Sequence, residues 1–214
     1  MMKIAIAGSG AMGCRFGSML DDAGNNVLLV DSWFEHVKAI NNKGLEIVDE
    51  NGSRYKKMTA IFPEEAFGEV DLLIVFTKAM QTDSMVNSCK QLIGENTRVL
   101  TLQNGLGNIE NLEKYVPRDR LIAGVTTFGT ELLGPGKIQA LGSGEVQIMQ
   151  VNGEITNEIR EIATIMNQAG LNVEISPDVF VSIWKKVAFN CVLNPLCTLM
   201  GSTVGTVGSY TAIN

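Results

Sequence analysis

The 214-residue sequence has a single histidine, His36, and four scattered cysteines, Cys14, Cys89, Cys191 and Cys197, with no C-x-x-C pair. A zinc site needs closely spaced thiolates or imidazoles, so no metal centre is expected. Four reduced thiols packed as small hydrophobes are expected instead. Basic runs are absent too, and the net charge is −6. Neither nucleic acid nor an anionic membrane surface finds an electrostatic footprint here. No apolar run approaches the roughly 18 residues that span a bilayer. The apolar stretch after Met-Met-Lys stops at Gly8, too soon for a secretory signal core. These absences predict a cytoplasmic protein. Against them stand 45% hydrophobic and 19% charged residues, a balance that fills a sizeable core.

What is present begins with a nucleotide-binding pattern. Lys3-Ile-Ala-Ile-Ala7 reads as a buried strand and stops at Gly8-Ser9-Gly10-Ala11-Met12-Gly13. A helical pattern follows, with Met12, Phe16, Met19 and Leu20 on one face, ending at Gly24. Val27-Leu-Leu-Val30 is a second strand closed by Asp31. Strand, G-x-G-x-x-G, helix, strand and acid in this order form the dinucleotide fingerprint. Gly8 gives the tight turn, Gly10 lets backbone approach a pyrophosphate, and Gly13 lets helix and strand pack closely. The helix N-terminus then offers free N–H groups and a positive dipole end. Asp31 has two readings. It accepts hydrogen bonds from a ribose 2′-hydroxyl, which favours NAD over its 2′-phosphate analogue, or it caps the helix beginning near Trp33.

The alternation continues. Residues 33–43 read as a helix, and Leu45–Asp49 and Arg54–Ala60 as two strands joined at Asn51-Gly52. Leu72–Phe76 and Arg98–Leu102 read as buried parallel strands ending in Thr77-Lys78 and Gln103-Asn104-Gly105. Ligands of open α/β sheets bind beyond such ends, which nominates Lys78 for a phosphate or ribose and Asn104 for the nicotinamide end or substrate. A surface lysine and a turn-forming Asn-Gly are the plainer readings. Short strands over 121–150, with Gly134-Pro-Gly136 as a turn, suggest antiparallel closure of the sheet edge. A helix over 156–169 and a strand over Leu171–Ile175 follow.

Ser176-Pro177 then opens a helix that is apolar almost all round, with Ser176 as its expected N-cap. Such a helix is expected to be buried on several sides. Through it runs a polar stripe of Ser182, Lys186, Asn190 and Asn194, each about 40° on from the last. Pro195 predicts a kink or an end. Lys186 either snorkels to water or faces a cleft as a proton donor, with the amides holding a polar substrate. The fold class is therefore α/β: a Rossmann-type dinucleotide-binding domain over 1–175, followed by a helical segment over 176–214.

Taken together, these stretches resemble the ketopantoate reductase family. The matching motifs are Gly8-x-Gly-x-Met-Gly13, Thr77-Lys78-Ala79, Gln103-Asn104-Gly105, Gly124-Val-Thr-Thr127, Leu133-Gly-Pro-Gly136 and Trp184-x-Lys-x-x-x-Asn-x-x-x-Asn-Pro195. They keep the family's order and span nearly the whole chain; the last is the most specific. The resemblance implies reduction of 2-dehydropantoate to pantoate, on the route to pantothenate, with NADPH as the usual cofactor. It assigns Lys186 as proton donor, Asn104 to cofactor and substrate, Asn190 and Asn194 to substrate, and Thr130 to the cofactor. Hydride attack on the ketone creates an alkoxide, which a positioned ammonium stabilises and protonates.

Three departures accompany it. Phe128 stands where some members carry histidine. Asp31-Ser32 lacks the arginine that some members offer a 2′-phosphate. That leaves NADH open, and with it an NADH-linked D-2-hydroxy-acid dehydrogenase of the same superfamily. Finally, family members continue with helices that supply a serine for the substrate and a glutamate near the cofactor, whereas this sequence stops at Asn214. A truncated chain is thus expected to turn over poorly and to self-associate through its apolar helix, with a homodimer one outcome. A non-catalytic dinucleotide-binding protein is the alternative of another class.

Overall fold

The computed structural model describes residues 1–209. Its first third comprises β1 (Lys3–Ala7), α1 (Ala11–Asp22), β2 (Asn26–Val30), α2 (Phe34–Lys43), β3 (Leu45–Asp49), β4 (Gly52–Lys56), β5 (Thr59–Ile61) and β6 (Leu72–Val75). Then come α3 (Thr82–Ser88), β7 (Arg98–Thr101), α4 (Asn108–Leu112), β8 (Leu121–Thr126), β9 (Gly129–Gly134), β10 (Lys137–Leu141) and β11 (Val146–Gln150). The chain closes with α5 (Asn157–Gln168), β12 (Val173–Ile175), α6 (Val179–Met200) and α7 (Val204–Gly208).

Eight strands form the main sheet in the order β12-β11-β8-β7-β6-β1-β2-β5. All pairings are parallel except β8 with β11. The residues explain it: β1, β6 and β7 are apolar on both faces, as strands covered by helices on both sides must be. On one face α1, α2 and α5 pack Phe16, Leu20, Ile40, Ile162 and Met166 onto Ile4, Ile6 and Ile74. On the other, α3, α4 and α6 bring Val86, Leu112 and Ile183 to Ala5, Ala7 and Val75. The strand order reverses between β1 and β6, which opens the crevice where ligands of such sheets bind.

A second sheet, in the order β4-β3-β10-β9, stands beside the first. Here the expectation needs correction. The stretch Arg54–Ala60 is not one strand; its end, β5, leaves for the main sheet and pairs with β2. Of the strands in 121–150, β8 and β11 close toward the main-sheet edge as expected, but β9 and β10 join β3 instead. The pairing of β10 with β3 bridges some ninety residues of sequence, and local periodicity holds no trace of it.

Pro195 lies inside helix α6, which continues to Met200, so of the expected kink or end there is no end. The helix differs from its expectation in two ways. Asp178, not Ser176, occupies the N-cap position. It packs on β8, β11 and α7 but leaves much of its apolar surface uncovered. Trp184, Phe189 and Val192 are more than half exposed, Leu199 is 84% exposed, and Val179 alone is fully buried. Cys191 on this helix is exposed, whereas Cys14 and Cys89 are buried as expected. Apolar periodicity reports what a helix face prefers, not whether a partner lies on it. Among the described residues no helix is long and apolar enough to cross a membrane.

Candidate active site

The glycine turn sits at the carboxyl end of β1, at the crevice. Gly8 has φ +90°, and its N–H donates to Val30 O at 2.9 Å. A Cβ on Gly8 would lie 2.5 Å from Thr77 N, and one on Gly13 would lie 2.2 Å from Gly8 O. Both positions must lack a side chain for β1, α1 and β6 to close together. Gly10 differs: a Cβ there meets nothing within 4 Å. The space beside Gly10 and the unpaired first amides of α1 suit a pyrophosphate, so the turn fits a dinucleotide. Ala11 and Met12 are half-buried on the rim, and Met12 packs on the core. Ser9 is fully enclosed, its Oγ without a partner.

Asp31 ends β2, as a ribose-reading acid would. Its Oδ1 accepts from Trp33 N at 3.0 Å, while Trp33 itself is the N-cap of α2. The carboxylate therefore shapes the turn without capping the helix, and Oδ2 remains for a ligand. Lys78 is exposed at the end of β6. Thr130 is the second residue of β9, inside the smaller sheet opposite Ala140, with its Oγ1 buried and unpaired. It does not lie at the carboxyl end of a main-sheet strand.

Lys186 projects from α6 onto the end of β8, where its Nζ donates to Thr126 O at 2.6 Å. Burial lowers its pKa, because desolvation disfavours the ammonium. Two clefts meet at this lysine. One, of ≈620 Å³, is lined by Thr126, Phe128, Lys186, Phe189 and Asn190 among others. The other brings Asn104, Gln103 and Gly124 against the same lysine. Asn104 is exposed, and its carbonyl accepts from Asn108 Nδ2 at 3.3 Å. The structure thus joins Lys186, Asn190 and Asn104. Asn194 lies one turn further along α6, exposed, and lines neither of these clefts.

Three further residues support the site: Gln103, which the sequence places at a strand end without a role, and Arg15 and His36, which sequence reading misses. Gln103 Nε2 donates to Thr77 O and to Thr82 Oγ1, both at 2.7 Å, tying the ends of β6 and β7. Arg15, only 7% exposed, donates to the carbonyls of Gly129, Leu141 and Gly142 and lies 4.7 Å over the Phe128 ring. Burial lowers its pKa. His36, 1% exposed, bonds to Ser9 O and Gly136 N. The available signals were an arginine between Cys14 and Phe16 on a buried face, and a lone histidine on the inner side of α2.

The family model described as "Ketopantoate reductase PanE/ApbA" matches residues 4–153. A 2-dehydropantoate 2-reductase of Lactococcus lactis is 40% identical over 97% of this chain and 67% of its own. The solved D-mandelate dehydrogenase with NADH and anilino(oxo)acetate superposes with a TM-score of 0.92 at 38% identity, over 98% of this chain and 68% of that one. A 2-dehydropantoate 2-reductase of Geobacter metallireducens gives 0.90 at 30% identity, over 99% and 70%. The chain spans about two-thirds of the length of the curated relatives it matches.

Proposed function

The chain belongs to the ketopantoate reductase family, and from that premise we propose that it reduces 2-dehydropantoate to pantoate with a nicotinamide cofactor. One observation carries the reading: a partly buried lysine held on a strand-end carbonyl, in a cleft shared with Asn190 and beside Asn104. In this proposal residues 1–175 form the dinucleotide-binding domain and 176–214 begin a helical substrate domain; 210–214 lie outside the described residues. A cytoplasmic setting and self-association as a homodimer belong to the same proposal.

Gly8, Gly10, Gly13 and the first amides of α1 would hold the pyrophosphate, with Ala11 and Met12 on the rim and Ser9 closing the turn from within. Asp31 would take the ribose nearest β2, Lys78 a phosphate or ribose, and Asn104 the nicotinamide end. Thr130 would meet the cofactor through its Oγ1, which has no hydrogen-bond partner in the protein. The bound cofactor supplies the hydride. Lys186 then stabilises the negative charge that develops on the ketone oxygen and transfers its proton there, leaving a neutral amine that solvent reprotonates. Asn190 and Asn194 would hold the polar groups of the keto acid, while Phe128 and Phe189 keep water from its apolar side.

A second reading is an NADH-linked D-2-hydroxy-acid dehydrogenase. Asp31 favours it, since a carboxylate repels a 2′-phosphate, and so does the superposition on D-mandelate dehydrogenase. Initial rates with 2-dehydropantoate and benzoylformate, each with NADH and NADPH, separate the two. A preference for 2-dehydropantoate is the expected result; a preference for benzoylformate with NADH overturns it. Absence of turnover with bound cofactor supports a non-catalytic dinucleotide-binding chain.

A further inference from the structure

The histidine behind the glycine turn has a defined protonation pattern. Gly136 N–H donates to His36 Nδ1 at 3.0 Å, so Nδ1 carries no proton. His36 Nε2 lies 2.7 Å from Ser9 O, which can only accept, so the ring proton is on Nε2. Cys14 Sγ donates to the same carbonyl at 2.9 Å. Two donors therefore hold Ser9 O toward the interior. Trp33 stacks on the imidazole with centroids 5.3 Å apart and planes 6° from parallel.

The consequence passes through one peptide unit. No peptide bond among the described residues is cis, and in a planar trans peptide the N–H points opposite to the C=O. With Ser9 O turned inward, Gly10 N–H turns outward. It finds no protein acceptor among the described residues, and a Cβ built on the same residue meets nothing within 4 Å, so the space around Gly10 is open. We infer that His36 is a positioning residue for the dinucleotide: it locks the Ser9–Gly10 peptide so that Gly10 N–H is presented to the pyrophosphate. Its second bond docks the β9–β10 turn, through Gly136, onto the same ring. The inference rests on the dinucleotide reading above but names a residue that the fingerprint does not contain.

The test uses the whole chain and two readouts. With a single histidine, both ring nitrogens are assigned without ambiguity in ¹⁵N-labelled protein; a protonated Nε2 and a bare Nδ1 are expected. Dissociation constants for NADH and NADPH are then measured for the wild type, His36→Ala, His36→Gln and His36→Asn. Glutamine carries an amide nitrogen to the place of Nε2, whereas asparagine carries an amide oxygen to the place of Nδ1. His36→Ala and His36→Asn should bind about tenfold more weakly, the worth of one hydrogen bond to an ionised group, and His36→Gln should recover most of it. If alanine prevents folding, the Gln and Asn pair and the ring proton still decide. A protonated Nδ1, wild-type affinity in His36→Ala, or equal losses in Gln and Asn overturn the inference. A wild type that binds neither cofactor overturns the dinucleotide reading instead, and this one with it.

Discussion

Replacing Arg15 by alanine should destabilise the protein by about 3 kcal/mol, and the figure follows from its contacts. The guanidinium donates to Gly129 O, Leu141 O and Gly142 O, and it covers the face of Phe128. Three part-buried carbonyls that lose this donor cost about 1–3 kcal/mol each, and loss of the ring contact adds about 1 kcal/mol. Against this, a charged group held at 7% exposure carries a desolvation penalty of several kcal/mol, which its removal relieves. The balance is a net loss near the lower end of the carbonyl sum. With a urea m-value of about 2–3 kcal/mol/M, the unfolding midpoint should fall by about 1 M at unchanged slope. Arg15→Lys, with one nitrogen in place of a fork, should lose roughly half as much. Equilibrium urea unfolding followed by circular dichroism measures both. A midpoint for Arg15→Ala within about 0.2 M of wild type would mean that the arginine does not hold the second sheet to α1.

The remaining expectations concern the site. Lys186→Ala should reduce kcat by about 10²–10⁴-fold, the range for a lost general acid, with cofactor affinity preserved; steady-state rates and fluorescence titration check this. Because burial lowers the Lys186 pKa below its usual 10.5, the protonated donor disappears at lower pH than an exposed lysine would, so the alkaline fall of kcat begins below that value. The stability sign runs the other way. Between the lowered folded value and 10.5 the unfolded chain binds more protons, so this group's contribution to stability rises with pH; thermal melts of Lys186→Met should lack that slope. Gly13→Ala, whose Cβ falls 2.2 Å from Gly8 O, should lose about 2 kcal/mol of stability through overpacking. Gly10→Ala should melt like wild type and lose NADH and NADPH affinity, since its Cβ enters only the open space.

The first βαβ unit was legible because each of its signals is local. An apolar run, a glycine turn and an acid lie within thirty residues, and the period changes from 2 to 3.6 where Gly8–Gly13 stands. The polar stripe of α6 was legible for the same reason: it needs only a helix and a count of four. What failed to show depends on distant partners. Gly129 and Leu141 accept from Arg15 across more than a hundred residues, and the β3–β10 pairing has no turn to announce it. The exposure of Trp184 and Phe189 does not follow from their own pattern, which is that of a core; what anticipates it is the family resemblance, whose members continue with further helices, and with it the expectation of an apolar, self-associating helix.

Those long-range bonds also impose an order of assembly. The glycine turn is among the first parts of the chain to be synthesised, yet two of its supports come from far along the chain, Gly136 through His36 and Gly129, Leu141 and Gly142 through Arg15. Closing such loops costs chain entropy before any contact forms, and folding dominated by distant pairings is slow. A nascent chain that has emerged only as far as α3 therefore has the glycine turn with its bonds to Val30, Cys14 and His36, but lacks the anchors that β9 and β10 supply to His36 and Arg15. Cofactor competence should arise in one late step, when the β9–β10 hairpin arrives.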